Sequence, residues 1–344
     1  MKSTQVTIKD IARHLGISPS TVSRALKDHP DISQDTKDLV VALAKELKYQ
    51  PNSVALSLKQ SKTFTIGVIV PELVHFFFST VISGIDSIAY SSGYNVIIAQ
   101  SNESYEREVK DTQALFNSRV DGILVSISRE TKNFDHFKEL HEYGVPIVLF
   151  DRGCDDINVS QVIVDDYQGA FNATTHLIEQ GCKKIVHMAG PQNLAISRDR
   201  YRGYIDALKA HSMEVDDRYI INCDLGVEEE AFDLVNDFLA SGLKPDGLFA
   251  HNDPAASGAI LAFKKYGITI PNDVMVIGFS NWQFCKVMTP TLSSVEQPGY
   301  EIGQKAASLL IKEIEANENE VVTPEKIVLN TKLVVRESTQ KPRT

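Results

Sequence analysis

Between Thr7 and Leu26, hydroxyl side chains and the Arg24 guanidinium stand at a spacing suited to hydrogen bonding with a polyanion. A helix starting at Pro19 would turn Ser20, Ser23 and Arg24 outward with Pro19 itself, while Val22 faces inward. Hydroxyls and a guanidinium on one face suit phosphate oxygens and base edges in a major groove. Thr7, Ser18 and Thr21 complete this candidate DNA-contacting set. The alternative is the solvated polar face of an ordinary helical hairpin.

A second set follows apolar runs further along the chain: Asp151 and Arg152, Asp165 and Asp166, Asn252 and Asp253, Ser280 and Asn281. Polar residues just past strands suit ligand binding at the carboxyl edge of a sheet, or else simply cap the next helix. Arg198, Asp199, Arg200 and Arg202 cluster at the predicted start of a helix, where arginine opposes the dipole; they face something negative or hydroxylated, or only solvent. Phe76, Phe77 and Phe78 cannot all face one core, so at least one should line a cleft or an interface. Trp282 could offer a stacking face to a sugar ring.

The elements that must hold these residues are legible in the apolar spacing. Thr7 reads as an N-cap, Ile8, Ile11, Ala12 and Leu15 form one helical face, and Gly16 ends the helix. Ser18 and Pro19 start a second helix with Val22, Ala25 and Leu26 inside. A turn this short makes the pair a helix-turn-helix. Ser33 caps a third helix whose inner stripe is Val40, Val41, Leu43, Ala44 and Leu47. Pro51 to Lys59 starts like a helix but is too short to be stable alone, so it is a candidate for folding on a minor groove, or a plain linker. Gln60 to Thr63 is polar and marks a domain boundary.

From Phe64 onward short Val/Ile runs alternate with amphipathic stretches. Strands are expected at 65–70, 94–100, 120–126, 145–150, 184–189, 219–223, 247–251 and 274–279, and helices at 78–92, 103–118, 134–143, 170–180, 200–211, 228–240 and 255–266. Such alternation means parallel sheets covered on both faces. The fold class is therefore a small all-α helix-turn-helix head plus an α/β body of two doubly wound parallel-sheet lobes.

The 344 residues are 43% hydrophobic with a net charge of −10. Residues 1–62 nevertheless hold ten Lys and Arg against six Asp and Glu. A basic head on an acidic body concentrates phosphate attraction at one end. No apolar run approaches the roughly 18 residues of a membrane span, and the N-terminus has no signal-peptide core, so a cytoplasmic protein without membrane partners is expected. Cys154, Cys182, Cys223 and Cys285 are scattered and read as free thiols, with no metal site. The chain has no G-x-G-x-x-G, P-loop, G-x-S-x-G or H-E-x-x-H, so neither cofactor nor catalytic residue is assigned. The rival function is a sugar- or nucleotide-converting enzyme on a two-lobed α/β fold; a transport solute-binding protein is a third.

Taken together, the chain resembles the lactose-repressor (LacI/GalR) family over nearly its full length. The resemblance rests on Thr7-Ile-Lys-Asp-Ile-Ala, Gly16-Ile-Ser, Thr21-Val-Ser-Arg24 and Tyr49-Gln-Pro-Asn-Ser-Val-Ala-Leu-Ser-Leu58. In the body it rests on Ile66-Gly-Val-Ile, Val120-Asp-Gly-Ile, Val145-Pro-Ile-Val, Ser197-Arg-Asp-Arg-Tyr-Arg-Gly203, Asn252-Asp253 and Val276-Ile-Gly-Phe. It implies a ligand-responsive regulator, of the repressor kind for carbohydrate genes, with a body similar to periplasmic binding proteins. Its partners would be a palindromic operator in double-stranded DNA, a second copy of the chain, and a sugar, sugar acid or sugar phosphate.

The resemblance also implies an organisation: a DNA-binding domain at 1–50, a hinge at 51–63, and an effector-binding and dimerisation domain at 64–340. One lobe would span about 64–165 plus 298–322 and the other about 166–294 plus 325–340, with crossings near Asp165, Val295 to Pro298, and Val321 to Pro324. By position, Pro19, Ser20 and Arg24 match base readers, Leu58 a minor-groove wedge and Ala55 its small neighbour. Phe77, Phe78, Arg200 and Asn252 match effector contacts, and Arg152, Asp165, Ser280 and Trp282 complete that candidate set. Ser280 stands where the family usually has an aspartate. Without that charge, and with Arg152 and Arg200 nearby, an anionic sugar is expected over a neutral hexose.

Overall fold

The structure is a computed structural model and describes residues 6–49, 62–317 and 323–340. It forms two compact units, Met1–Thr63 and Phe64–Thr344. Among the described residues no helix is long and apolar enough to cross a membrane.

In the first unit, α1 (Ile8–Leu15), α2 (Pro19–Ala25) and α3 (Gln34–Glu46) close over Ile11, Ala12, Val22, Ala25, Val40 and Ala44. The turn between α1 and α2 is built from local chemistry. Gly16 takes a left-handed φ of 65°, and the Ser18 hydroxyl accepts the Thr21 N–H at 3.1 Å to start α2. Val41, expected on the inner stripe of α3, is exposed, because it lies one position round from the buried Val40. The proposed hinge, with Ala55 and Leu58, lies outside the described residues.

The second unit has two sheets. The chain first lays down β1 (Thr65–Val70), α4 (Phe76–Ser91), β2 (Asn95–Gln100), α5 (Tyr105–Asn117), β3 (Gly122–Val125), α6 (Asp135–Glu142), β4 (Ile147–Phe150) and β5 (Ser160–Val164). It then crosses to a second lobe: α7 (Asp166–Glu179), β6 (Ile185–Ala189), α8 (Ala195–Ala210), β7 (Ile220–Asn222), α9 (Glu228–Ala240), β8 (Gly247–Ala250), α10 (Asp253–Lys265), β9 (Met275–Phe279) and β10 (Ser293–Glu296). It returns as α11 (Gly299–Glu315) and β11 (Lys326–Leu329), and ends in the second sheet as β12 (Lys332–Val334). The sheet orders are β11-β5-β4-β3-β1-β2 and β12-β10-β9-β8-β6-β7, parallel throughout except for the β10–β12 pair. β5, β10, α11, β11 and β12 are not among the elements expected from the sequence.

The third crossing differs from expectation as well. β11 pairs in parallel with β5, from Lys326 beside Gln161 to Leu329 beside Val164, so the chain stays in the first lobe until 329. It crosses at 330–331 rather than at 321–324, and residues 326–329 belong to the first lobe. α11 is held onto α4 by close backbone approach: a Cβ on Gly84 would meet the Tyr300 carbonyl oxygen at 2.1 Å, and one on Gly303 the Val81 oxygen at 2.0 Å.

Both sheets share one strand order, so each reverses direction between its first and third strands in sequence. Ligands of doubly wound sheets sit beyond the carboxyl ends of the strands at that point.

Candidate functional site

A cavity of about 250 Å³ lies between the two lobes, at the carboxyl ends of their strands. Phe77, Phe78, Arg152, Arg200, Asn252, Ser280 and Trp282 all line it. Asp165 does not. It caps α7, its carboxylate accepting the Gln168 N–H at 2.8 Å, because the first crossing between lobes runs through it. The neighbouring Asp166 does not line the cavity either, but it accepts from Arg200, which does.

Arg200 is buried and held on three sides. Its Nε donates to Asp166 Oδ1 at 2.7 Å, its Nη1 donates to the His251 carbonyl at 2.6 Å, and its Cζ sits 3.7 Å over the Phe279 ring. α8 starts at Ala195, five residues earlier than expected, so the arginine cluster lies inside the helix and the dipole argument does not apply. Of that cluster only Arg200 lines the cavity. Arg198 donates to the Gln192 and Asn193 carbonyls, and Arg202 pairs with Asp199 on the surface.

Arg152 is held as firmly. Its fork takes Glu103 bidentately, Nη1 to Oε2 at 2.8 Å and Nη2 to Oε1 at 2.7 Å, and Nη1 also donates to the Ile127 carbonyl at 2.9 Å. Burial works against ionising Glu103, yet Arg152 and Arg129 outweigh it and hold the carboxyl below its usual range. The two guanidiniums expected to attract an anion are therefore each already matched by a carboxylate. Glu72, Asp151 and Asp224 also line the cavity, with Arg129 as a third arginine, and burial pushes the Asp166 pKa up to about 7 despite Arg200.

Two further candidates are partly occupied. Asn252 caps α10, its Oδ1 accepting the Ala255 N–H at 2.8 Å, and its Nδ2 donates to the Gly226 carbonyl at 2.9 Å. The Ser280 hydroxyl donates to Gln297 Oε1 at 2.8 Å, and the Gln297 amide reaches Asp151 Oδ1 at 3.5 Å. Burial raises the Asp151 pKa, opposed by the nearby arginines. Asp151, Ser280 and Asn281 all carry positive φ, a strained geometry that gathers at functional sites.

Trp282 is anchored by its backbone N–H on Asp253 Oδ2 at 2.7 Å, and its ring meets His75 of the other lobe edge-on at 4.7 Å. His75 in turn is paired with Glu72. Behind Arg200, His187 stacks between Tyr204 and Phe249 with both ring centroids at 4.9 Å, its Nδ1 set against the Phe249 carbonyl at 3.1 Å. Burial pushes His187 down to about 4 and His251, which lines the cavity, down to about 3; both rings are neutral near pH 7.

Glu72, His75, Glu103, Arg129, His251 and Gln297 do not stand out in the sequence. Position would have found several of them: Glu72 and His75 follow β1, Glu103 follows β2 and Arg129 follows β3.

In the head, Ser18, Pro19, Ser20 and Arg24 are exposed and Thr21 and Ser23 half-buried. The Ser18 hydroxyl lies 2.7 Å from that of Ser20 and 2.8 Å from that of Thr21. Arg24 is held only loosely, 4.0 Å from Asp31. Thr7 is tied down instead, its N–H and hydroxyl both donating to Asp10 at 3.0 and 2.7 Å.

Residues 7–52 match the sequence profile of bacterial regulatory proteins of the lacI family, and residues 63–332 that of periplasmic binding proteins and the sugar-binding domain of the LacI family. The chain is 34% identical over 334 residues to a ribose operon repressor of Halalkalibacterium halodurans, covering 97% of each. Its structure matches that of a transcriptional regulator CelR–cellobiose complex with a TM-score of 0.73 and 28% identity, covering 97% of this chain and 100% of the other. It also matches a LacI-family regulator of Enterococcus faecium with bound ribose, with a TM-score of 0.69 and 28% identity, over 81% and 100%. A basic helix-turn-helix head, a two-lobed body and both profiles agree: the chain belongs to the LacI family and is a ligand-responsive, DNA-binding transcriptional repressor.

Proposed function

We propose that the inter-lobe cavity binds a neutral monosaccharide and that its occupancy controls how the head engages an operator. The observation that carries this reading is the Arg200 assembly, a guanidinium fixed between Asp166, the His251 carbonyl and the Phe279 face, with Phe78 and Trp282 on the walls. Arginine donors beside aromatic faces suit ring hydroxyls and the apolar face of a sugar. The volume lies just below the roughly 300–1,000 Å³ of drug-sized sites, which favours one ring over two. The Glu103 carboxylate on Arg152, with Glu72 and Asp224 on the wall, favours a neutral sugar over the acid or phosphate expected from Ser280 and the Arg152 and Arg200 pair. The ribose operon repressor and the ribose-bound regulator point to a pentose.

Pro19, Ser20, Ser23 and Arg24 read base edges in this scheme, and Thr7, Ser18 and Thr21 contact or position on phosphates. The chain works as a cytoplasmic homodimer, since an operator with two half-sites requires two heads roughly 34 to 36 Å apart. No catalytic residue is assigned.

The test is calorimetric titration of the full chain with ribose, ribose 5-phosphate and cellobiose, followed by operator gel shifts with each. Ribose alone should bind and change operator affinity. Tight binding of the phosphate alone would overturn the neutral-sugar reading.

A further inference from the structure

On the wall of the cavity the lobes are joined at Arg129, which follows β3. Its Nη1 donates to the Leu225 carbonyl in the second lobe at 2.9 Å, and its own carbonyl accepts Asn193 Nδ2, also of the second lobe, at 2.6 Å. One bond runs from the first lobe to the second and the other runs back. Parting the lobes would break both at once.

Both ends of this junction are braced. In the first lobe, the Arg129 N–H donates to Glu103 Oε2 at 2.6 Å, the same carboxylate that grips Arg152 on the cavity wall. The adjoining loop is pinned on buried Glu108, which accepts the Ser128 N–H at 2.6 Å and the Thr131 hydroxyl at 2.7 Å. In the second lobe, Leu225 and Gly226 N–H both donate to Glu230 Oε2, at 2.9 and 2.8 Å, while Asn252 holds the Gly226 carbonyl. Gly226 has a φ of 67°, and a Cβ there would meet Asn252 Nδ2 at 2.6 Å, so this loop packs in one way.

We propose that Arg129 and Asn193 form a polar clasp that holds the lobes shut, making Arg129 a positioning residue that sets how long a ligand stays rather than what is recognised. The residence-time half rests on the cleft being the effector site; the closure half does not. The chain supplies its own reporter, because Trp282 is its single tryptophan and contacts His75 across the cleft.

The experiment uses the full chain and three variants, Arg129→Met, Arg129→Lys and Asn193→Ala. Asn193 is outside the cavity lining, so it separates closure from ligand contact. Without ligand, acrylamide should quench Trp282 more strongly in Arg129→Met and Asn193→Ala than in the parent, and Arg129→Lys should recover part of the protection. With ribose in stopped flow, dissociation should quicken about tenfold in the first two variants while association stays nearly unchanged, the usual signature of losing contacts that form after encounter. Unchanged quenching in both variants would overturn the clasp. Slower association with unaltered dissociation would overturn it too, by making Arg129 an entry contact. If ribose does not bind the parent chain, the sugar reading fails, while the quenching comparison still decides the clasp.

Discussion

Arg24 in the head and Arg200 in the cleft are the two arginines on which the proposed function turns, and they are prepared in opposite ways. The Arg24 side chain is 58% exposed with one loose partner at 4.0 Å, whereas that of Arg200 is 5% exposed and fixed by a carboxylate, a carbonyl and a ring. An exposed guanidinium keeps its donor fork for a partner it meets in water, and ordering it on DNA costs entropy. A buried one has already lost that freedom during folding and meets a ligand preorganised. Under the proposed function, recognition of DNA is left open in the side chain and recognition of the small molecule is built into the fold.

The sharpest way to break this contrast is Arg200→Ala. Breaking a buried pair typically costs about 3–5 kcal/mol, and part of that is recovered here because burial already holds the Asp166 pKa near 7, so the carboxyl takes a proton once Arg200 is gone. Thermal melts of the full chain should show a large loss of body stability, and calorimetry should show sugar binding gone. A variant that melts like the parent and binds as tightly would mean that Arg200 is not built in.

Acid should expose the polar stack behind Arg200. The folded pKa of His187 is about 4 against an ordinary value of 6.5, so the unfolded chain takes up the proton first. Stability is therefore full above about pH 6.5 and falls as pH drops toward 4, by roughly 3 kcal/mol for this one ring. His187→Phe keeps the stacking and removes the titration, so its melting temperature should fall less between pH 7 and 4.5. Equal slopes would place the acid sensitivity elsewhere.

The smallest expected effect belongs to the exposed arginine. Arg24→Ala should leave folding unchanged and cost about 1–3 kcal/mol on the specific operator, with relaxed preference at one base position per half-site. Equal losses on random DNA would make it a phosphate contact.

The same contrast explains what the sequence could disclose. The head is written in neighbours: Gly16, Ser18, Pro19 and Val22 act within one turn of each other, so spacing alone places them. The Val/Ile strands of the body are equally local in pattern. The cleft is not. Arg152 finds Glu103 and Arg200 finds Asp166 only after the sheets assemble, and no spacing announces that each guanidinium will meet a carboxyl group. α11 carries a stripe of its own, Ile302, Ala306, Leu309 and Leu310, but no spacing announces that Gly84 and Gly303 let it approach α4 so closely. β11 is an edge strand with half-exposed residues, and its pairing with β5 moves the last crossing.

The interleaving of the lobes governs when this protein can become itself. The head core is complete once Ala44 has been made, and it can form while the remainder is still being synthesised. The first lobe, although its strands begin at Thr65, lacks its edge strand and the helix covering β3, β4 and β5 until Leu329 emerges. The second lobe waits for β12. During that interval the folded head is tethered to a body whose parallel sheets expose apolar faces and unpaired edges, a slow, non-local topology that is open to aggregation until both sheets close. Ribosomal pausing late in the body should therefore prolong a window in which the chain is foldable at one end and adhesive at the other.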